Sequence, residues 1–101
     1  MFDLRRADLH LHTSCSDGRL APAELVRRAR EAGLYCVAIT DHDTIDGLEE
    51  ARRVAARWAM VVVPGVELSV QVEEEEVHLL GYFFDPAHPA LTEALAAYRK
   101  A

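Results

Sequence analysis

Cysteine is scarce in this sequence and lysine scarcer still. Cys15 and Cys36 are the only thiols in 101 residues, and no zinc-type spacing joins them. A disulfide framework or a thiolate metal site is therefore excluded as the organising principle, and both are expected as reduced thiols in a cytoplasmic protein. Lys100 is the one lysine; every other basic residue is an arginine, which reflects composition and not function. Positive charge is outnumbered, with 11 basic against 17 acidic residues and a net charge of −6. That balance disfavours non-specific binding to nucleic acid or to an acidic membrane, but not a phosphorylated substrate, because bound cations would reverse the local field. Long apolar runs are missing too: Met60 to Val63 is far too short to span a membrane. Met1-Phe2-Asp3 lacks the basic start and apolar run of a signal peptide. Nor is there a glycine-rich loop of the kind that cradles a nucleotide donor's phosphates.

What is present reads as one small domain, half hydrophobic and 28% charged, without repeats or linkers. Ala7 to His12 is expected as a strand. Residues two apart in a strand share a face at roughly 6–7 Å, so His10 and His12 aim two imidazoles one way while Leu9 and Leu11 face packing. Pro22 opens a helix without the usual capping side chain at Ala21, and Gly33 ends it. Leu25, Val26, Ala29 and Ala32 form its apolar face, opposite Arg27, Arg28, Arg30 and Glu31. Cys36 to Thr40 is a strand buried on both faces; Ile45, Leu48, Ala51, Ala55 and Trp58 form a helical stripe. Met60 to Val63 is the third strand, broken by Pro64-Gly65. The order strand, helix, strand, helix, strand signals a parallel sheet. Val66 to Val72 and Val77 to Phe84 then form a hairpin around a solvated tip, Glu73 to Glu76. A loop, Asp85 to Pro89, leads into a helix from Ala90 to Ala101 with Leu91, Leu95 and Tyr98 at helical spacing.

A His-x-His by itself is equally a half-buried strand with two incidental histidines. Its context decides the matter. Strand one ends at His10 and His12, strand two at Asp41-His42, and strand three runs into Glu67. In parallel α/β sheets the carboxyl ends of the strands form the site. Three successive strand ends each delivering His, Asp or Glu is hard to explain as packing, since buried ionisable groups are costly unless paired or ligated. Asp17, after a polar turn closed by Gly18, can return a carboxylate to the same spot, and His78 lies roughly opposite Glu67. Imidazole and carboxylate without thiolate suit zinc, manganese or iron.

Four ordered segments, DLHLHTSCSDG, ITDHDTIDG, PGVELS and VHLLGYF, resemble the successive motifs of the PHP domain, the polymerase and histidinol phosphatase superfamily. The resemblance covers essentially the whole chain and is nearest to the small stand-alone phosphoesterases that act on nucleotides or RNA ends. It implies an α/β fold of distorted (β/α) barrel type. It also implies two or three divalent metal ions: His10 and His12 on one, Glu67 bridging it to a second that His78 also holds, and Asp17 with His42 on a third. Asp41 and Asp43 match the motif and are expected beside the ligands, fixing imidazole orientation; Thr13, Ser14 and Ser16 line the loop as candidate substrate contacts. The implied reaction is hydrolysis of a phosphoester by metal-activated water, with a phosphorylated small molecule or a nucleic-acid end as substrate and no protein nucleophile.

Family members run well beyond this length, a related full barrel taking about 250 residues, and their later strands supply further ligands. Residues 1–101 are accordingly read as an N-terminal portion of a single PHP domain, a truncated partial barrel of parallel strands plus a hairpin. Asp85 and His88 are the only local candidates to replace the later ligands. An unclosed sheet leaves an edge and an apolar face to be covered by the rest of the barrel or by a second copy. Besides an enzyme, a metal-binding fragment without turnover and a partner-binding module are therefore kept as alternatives.

Overall fold

The structure, a computed structural model, describes residues 6–100; Met1-Phe2-Asp3, Ala101 and the side chains of residues 98–100, Tyr98 among them, fall outside that description. Strand β1 (Ala7–Leu11) leads to helix α1 (Pro22–Glu31), β2 (Cys36–Ile39) and α2 (Leu48–Ala55), which tightens into a 3-10 turn over Ala56–Trp58. Next come β3 (Val61–Val72), β4 (Glu75–Tyr82) and α3 (Pro89–Lys100). The four strands lie in sequence order, β1 and β2 parallel to β3 and β4 antiparallel to it. The sheet curls as a half-barrel: across its open side the Tyr82 hydroxyl of one edge strand donates to the Leu9 carbonyl of the other at 2.6 Å. Among the described residues no helix is long and apolar enough to cross a membrane.

The core forms where α1 and α2 lie on one face of the sheet. Val26 and Ala29 from α1 meet Leu48, Ala51, Val54 and Ala55 from α2 over Val37, Ile39 and Val62 of the strands. Burying each such Val, Leu or Ile contributes about 1.5–3 kcal/mol relative to exposure. As the sequence suggested, α1 starts at Pro22 with no capping side chain on Ala21. The helix is capped from a distance instead: the free Ala23 N–H donates to Glu50 Oε2 on α2 at 2.8 Å. Trp58 packs against the core, with the Arg30 guanidinium 4.8 Å from its ring centroid.

Several expectations are corrected. Pro64-Gly65 does not break the third strand; β3 runs through it for 12 residues. The parallel ladder to β2 ends at Ile39↔Pro64, and the antiparallel ladder to β4 starts at Gly65↔Tyr82. Proline thus occupies the changeover between two partners, where a missing N–H is least costly, while its carbonyl accepts from Phe83 N–H at 3.0 Å. Gly65 is needed there, because a Cβ would lie 2.8 Å from Thr40 Cγ2. The hairpin tip is Glu73-Glu74 alone, Glu75 and Glu76 belonging to β4. That sets His78 opposite Ser69, and Leu80 opposite Glu67. Leu9 is exposed and not packed, since a register shift between Asp8 and Leu11 interrupts the alternation on this edge strand. Ala32 is likewise exposed, just past the end of α1.

Candidate metal centre

Glu67 is the hub. It lies on β3 just past the changeover, 5% exposed. The chain beyond β2 runs alongside it: Glu67 N–H donates to Asp41 C=O at 3.0 Å, and Asp43 N–H to Glu67 C=O at 2.9 Å. Imidazoles reach its carboxylate from three directions. His10 Nε2 and His12 Nε2, from the end of β1, lie 2.8 and 2.9 Å from Oε1. His78 Nδ1, from β4, lies 2.8 Å from Oε2, and His42 Nδ1, from the end of β2, lies 3.9 Å from it. His78 attains this as a diagonal cross-strand neighbour on the shared face. The four rings form a continuous arc, with centroids 5.3 Å apart for His10–His12, 4.5 Å for His12–His42 and 5.3 Å for His42–His78. At the outer side of the arc Asp17 sets Oδ1 2.8 Å from His12 Nδ1 and Oδ2 3.2 Å from His42 Nε2.

Burial pushes the Glu67 carboxyl up, but hydrogen bonds from His10 and His12 and the positive fields of His42 and His12 outweigh it and hold it at about 2. Desolvation similarly raises Asp17 and is outweighed by His12 and His42, leaving it below its ordinary value. Folding stability from Glu67 is therefore fully present above its ordinary value of 4.5 and is lost as pH falls from there through about 2. A circular-dichroism titration of the metal-free chain should show unfolding grow across that acid window, and the E67Q variant should lack this component.

The donor set fits divalent metal. Carboxylate oxygens face both ring nitrogens of His12, at 2.8 and 2.9 Å. A neutral imidazole has one N–H, so one of these contacts sets lone pair against lone pair unless a proton or a metal cation lies between them. Three groups of donors lie within 4.8 Å of one another: His10, His12 and Glu67; His12, Asp17 and His42; and His42, Glu67 and His78. All six residues expected as ligands thus converge on one place. The sharing of His12 and His42 between groups had no signal in the sequence, since it depends on how closely β1 and β2 approach.

Asp41 and Thr13 are placed differently from expectation. Asp41, 1% exposed, directs its carboxylate at the loop after β1 and not at an imidazole: Oδ1 accepts from Thr13 N–H at 2.6 Å and Ser16 Oγ at 2.7 Å, and Oδ2 from Thr13 Oγ1 at 2.6 Å. Thr13 is completely buried, so its hydroxyl is withdrawn from substrate. Ser16 is half-buried with its hydroxyl committed to Asp41, whereas Ser14 is exposed. Asp43 Oδ1 accepts from Ser69 N–H at 2.9 Å, tying β2's extension to β3. Asp85 and His88 hold a turn and the start of α3: Asp85 Oδ1 accepts from Ala87 N–H, and His88 Nδ1 from Ala90 N–H. Glu76, read only as solvated charge, sets Oε2 3.4 Å from His78 Nε2. Its position two residues before His78 on one strand face was the available signal.

Known proteins share this arrangement of strands. The chain is 46% identical to the 5'-3' exoribonuclease Rnm of Salmonella typhimurium over 88% of its own length and 31% of the relative's. It is 43% identical to a 3',5'-nucleoside bisphosphate phosphatase of Chromobacterium violaceum over 92% of its length and 33% of that protein's. An amidohydrolase from Chromobacterium violaceum, solved with bound sulfate and no metal, superimposes with a TM-score of 0.90 at 42% identity, covering 94% of this chain and 34% of that one. The chain thus spans about a third of the length of these two curated relatives. One family model, the PHP domain, matches residues 8–98, a span that contains every residue from His10 to His78 gathered around Glu67, and the chain belongs to that family.

Proposed function

We propose that this chain is the N-terminal portion of a single PHP domain whose activity is metal-dependent hydrolysis of phosphoesters on nucleotides or nucleic-acid ends. The observation that carries the reading is the arc of four imidazoles closed by Asp17 and centred on the buried carboxylate of Glu67. His10, His12 and Glu67 would hold one cation, Glu67 and His78 a second with His42 in reach, and Asp17 and His42 a third with His12 in reach. When bound, two or three such ions, of zinc, manganese or iron, supply Lewis-acid activation of water and neutralise phosphoryl oxygens. Glu67 fixes the spacing of the imidazoles through both of its oxygens. Ser14, exposed on the loop beside Asp17, is the hydroxyl left to meet substrate. Cys36 is no nucleophile, because burial pushes its thiol up. The names of two relatives, an exoribonuclease and a nucleoside bisphosphate phosphatase, support the substrate class. A cytoplasmic location completes the reading.

The test is phosphate or nucleotide release from a nucleoside 3',5'-bisphosphate, a short 5'-phosphorylated RNA and histidinol phosphate, run beside a panel of amides. Release that requires added Mn²⁺ and stops with chelator is expected; amide hydrolysis without phosphoester hydrolysis would overturn the proposal. Coverage of only a third of the relatives favours a second reading, in which these 101 residues bind metal with little turnover and associate through the open sheet with the rest of the barrel or a second copy. Metal retained without phosphate release, with sedimentation above the monomer mass, selects that reading.

A further inference from the structure

Asp17 poses a problem of positioning. Its side chain is 63% exposed and sits on a turn, yet both oxygens are set on imidazoles of two different strands. An exposed carboxylate on a free turn would lose conformational entropy each time it took up that geometry. Something else must hold the turn. Hydrogen bonds within the loop contribute: Ser16 N–H and Gly18 N–H both donate to Thr13 C=O, at 3.1 and 2.8 Å, and Ser14 N–H to Leu20 C=O at 2.9 Å. These fix the loop's shape without saying where it sits relative to His42.

The link to His42 is Asp41. Its buried carboxylate takes three donors from the loop, at 2.6, 2.6 and 2.7 Å, short distances for bonds to an ionised acceptor. Two come from Thr13, immediately after His12, and one from Ser16, immediately before Asp17. Asp41 itself immediately precedes His42. One side chain therefore grips the loop at both ends of the segment joining His12 to Asp17, from a point adjacent to the third residue of that group. Gly47 also lies against the loop, where a Cβ would come 3.4 Å from both Thr13 Oγ1 and Cys15 Sγ.

We propose that Asp41 is a positioning residue that builds the His12–Asp17–His42 group by locking the loop, and that it leaves the His10–His12–Glu67 group largely alone. The proposal rests on the metal-centre reading for its consequence but not for its geometry. Two independent measurements therefore separate the two. The first is calorimetric titration of the chelated chain with Mn²⁺ alone, comparing wild type, D17N, D41N and S16A. Affinity lost in D17N defines the Asp17 group. D41N is expected to weaken that same class by about 10- to 100-fold, as loss of a residue supporting a ligand does, and S16A to weaken it less. The class lost in His10→Ala should be unchanged in both. The second measurement needs no metal: amide hydrogen exchange at Ser16 and Gly18, whose N–H groups close the loop, should be faster in D41N and S16A than in wild type.

S16A removes a single hydroxyl from a half-buried position and keeps the test open should D41N fail to fold. A wild-type chain that takes up no Mn²⁺ overturns the metal reading, and the exchange rates still judge the lock. Unchanged exchange in D41N and S16A, or equal weakening of both metal classes, overturns the lock itself.

Discussion

Replacing Glu67 by glutamine is expected to lower the affinity of the chain for divalent metal by about 100-fold or more, the largest loss of any single substitution here. Glutamine keeps the size of the side chain, so β3 and its neighbours retain their packing. What disappears is the charge shared by two groups of donors: Oε1 no longer offers a negative oxygen to His10 and His12, nor Oε2 to His78 and His42. The amide nitrogen also places hydrogens against ring nitrogens on one side. Only the His12–Asp17–His42 group keeps all its members. Calorimetry with Mn²⁺ should therefore show one weak residual class in place of the wild-type set. A variant that binds as tightly as wild type would mean that Glu67 is only a partner for charged histidines.

The second large effect is steric and needs no metal. Gly18→Ala is expected to destabilise the fold by about 2–3 kcal/mol and to lower its melting temperature by about 10 °C or more. A Cβ at this position would lie 2.4 Å from the carbonyl oxygen of His12, 2.6 Å from its carbonyl carbon and 2.9 Å from that of Thr13. All three are backbone atoms, so no side chain can swing aside. Relief requires the loop to open, which breaks the 2.8 Å bond from Gly18 N–H to Thr13 C=O and moves Asp17 off His12 and His42. Gly81→Ala is the control, because its Cβ would meet Val66 Cγ1 at an ordinary 3.6 Å. Thermal melts should separate the two variants clearly, with or without chelator. Equal melting temperatures would show that the loop yields readily.

Most of the elements could be read from residue pattern, because each apolar stripe and each run of β-branched residues faces a partner close in the chain. Pro64 is where that reading failed. Local sequence says stop, and only knowledge of which strand lies on which side shows that β3 changes partners there and does not need the N–H. The four-glutamate run misled for a related reason: charge predicts exposure, and all four are exposed, but it does not say which pair closes the turn. At the site, residue type and strand ends pointed to His10, His12, His42 and Glu67, the polar turn to Asp17 and the hairpin to His78, and the structure brings these six side chains together. Their roles were less legible. Nothing in Asp41-His42-Asp43 tells which carboxylate turns inward to the loop and which ties to β3; that depends on Thr13 and Ser69, 28 and 26 residues away.

The placement of the donors along the chain has a consequence for biosynthesis. Synthesis proceeds from the N-terminus, so His12, Asp17 and His42 all exist once the three residues after β2 have been added. Glu67 follows only after α2, and His78 later still. The centre is completed from its exposed outer side inward, and the buried carboxylate that unites the imidazoles is a late arrival. The His12–Asp17–His42 group is thus complete in sequence before Glu67, which both of the other groups need, has been added. In the folded chain the His42–Glu67–His78 group draws one donor from each strand of the β3–β4 hairpin, so it exists only where that hairpin is closed.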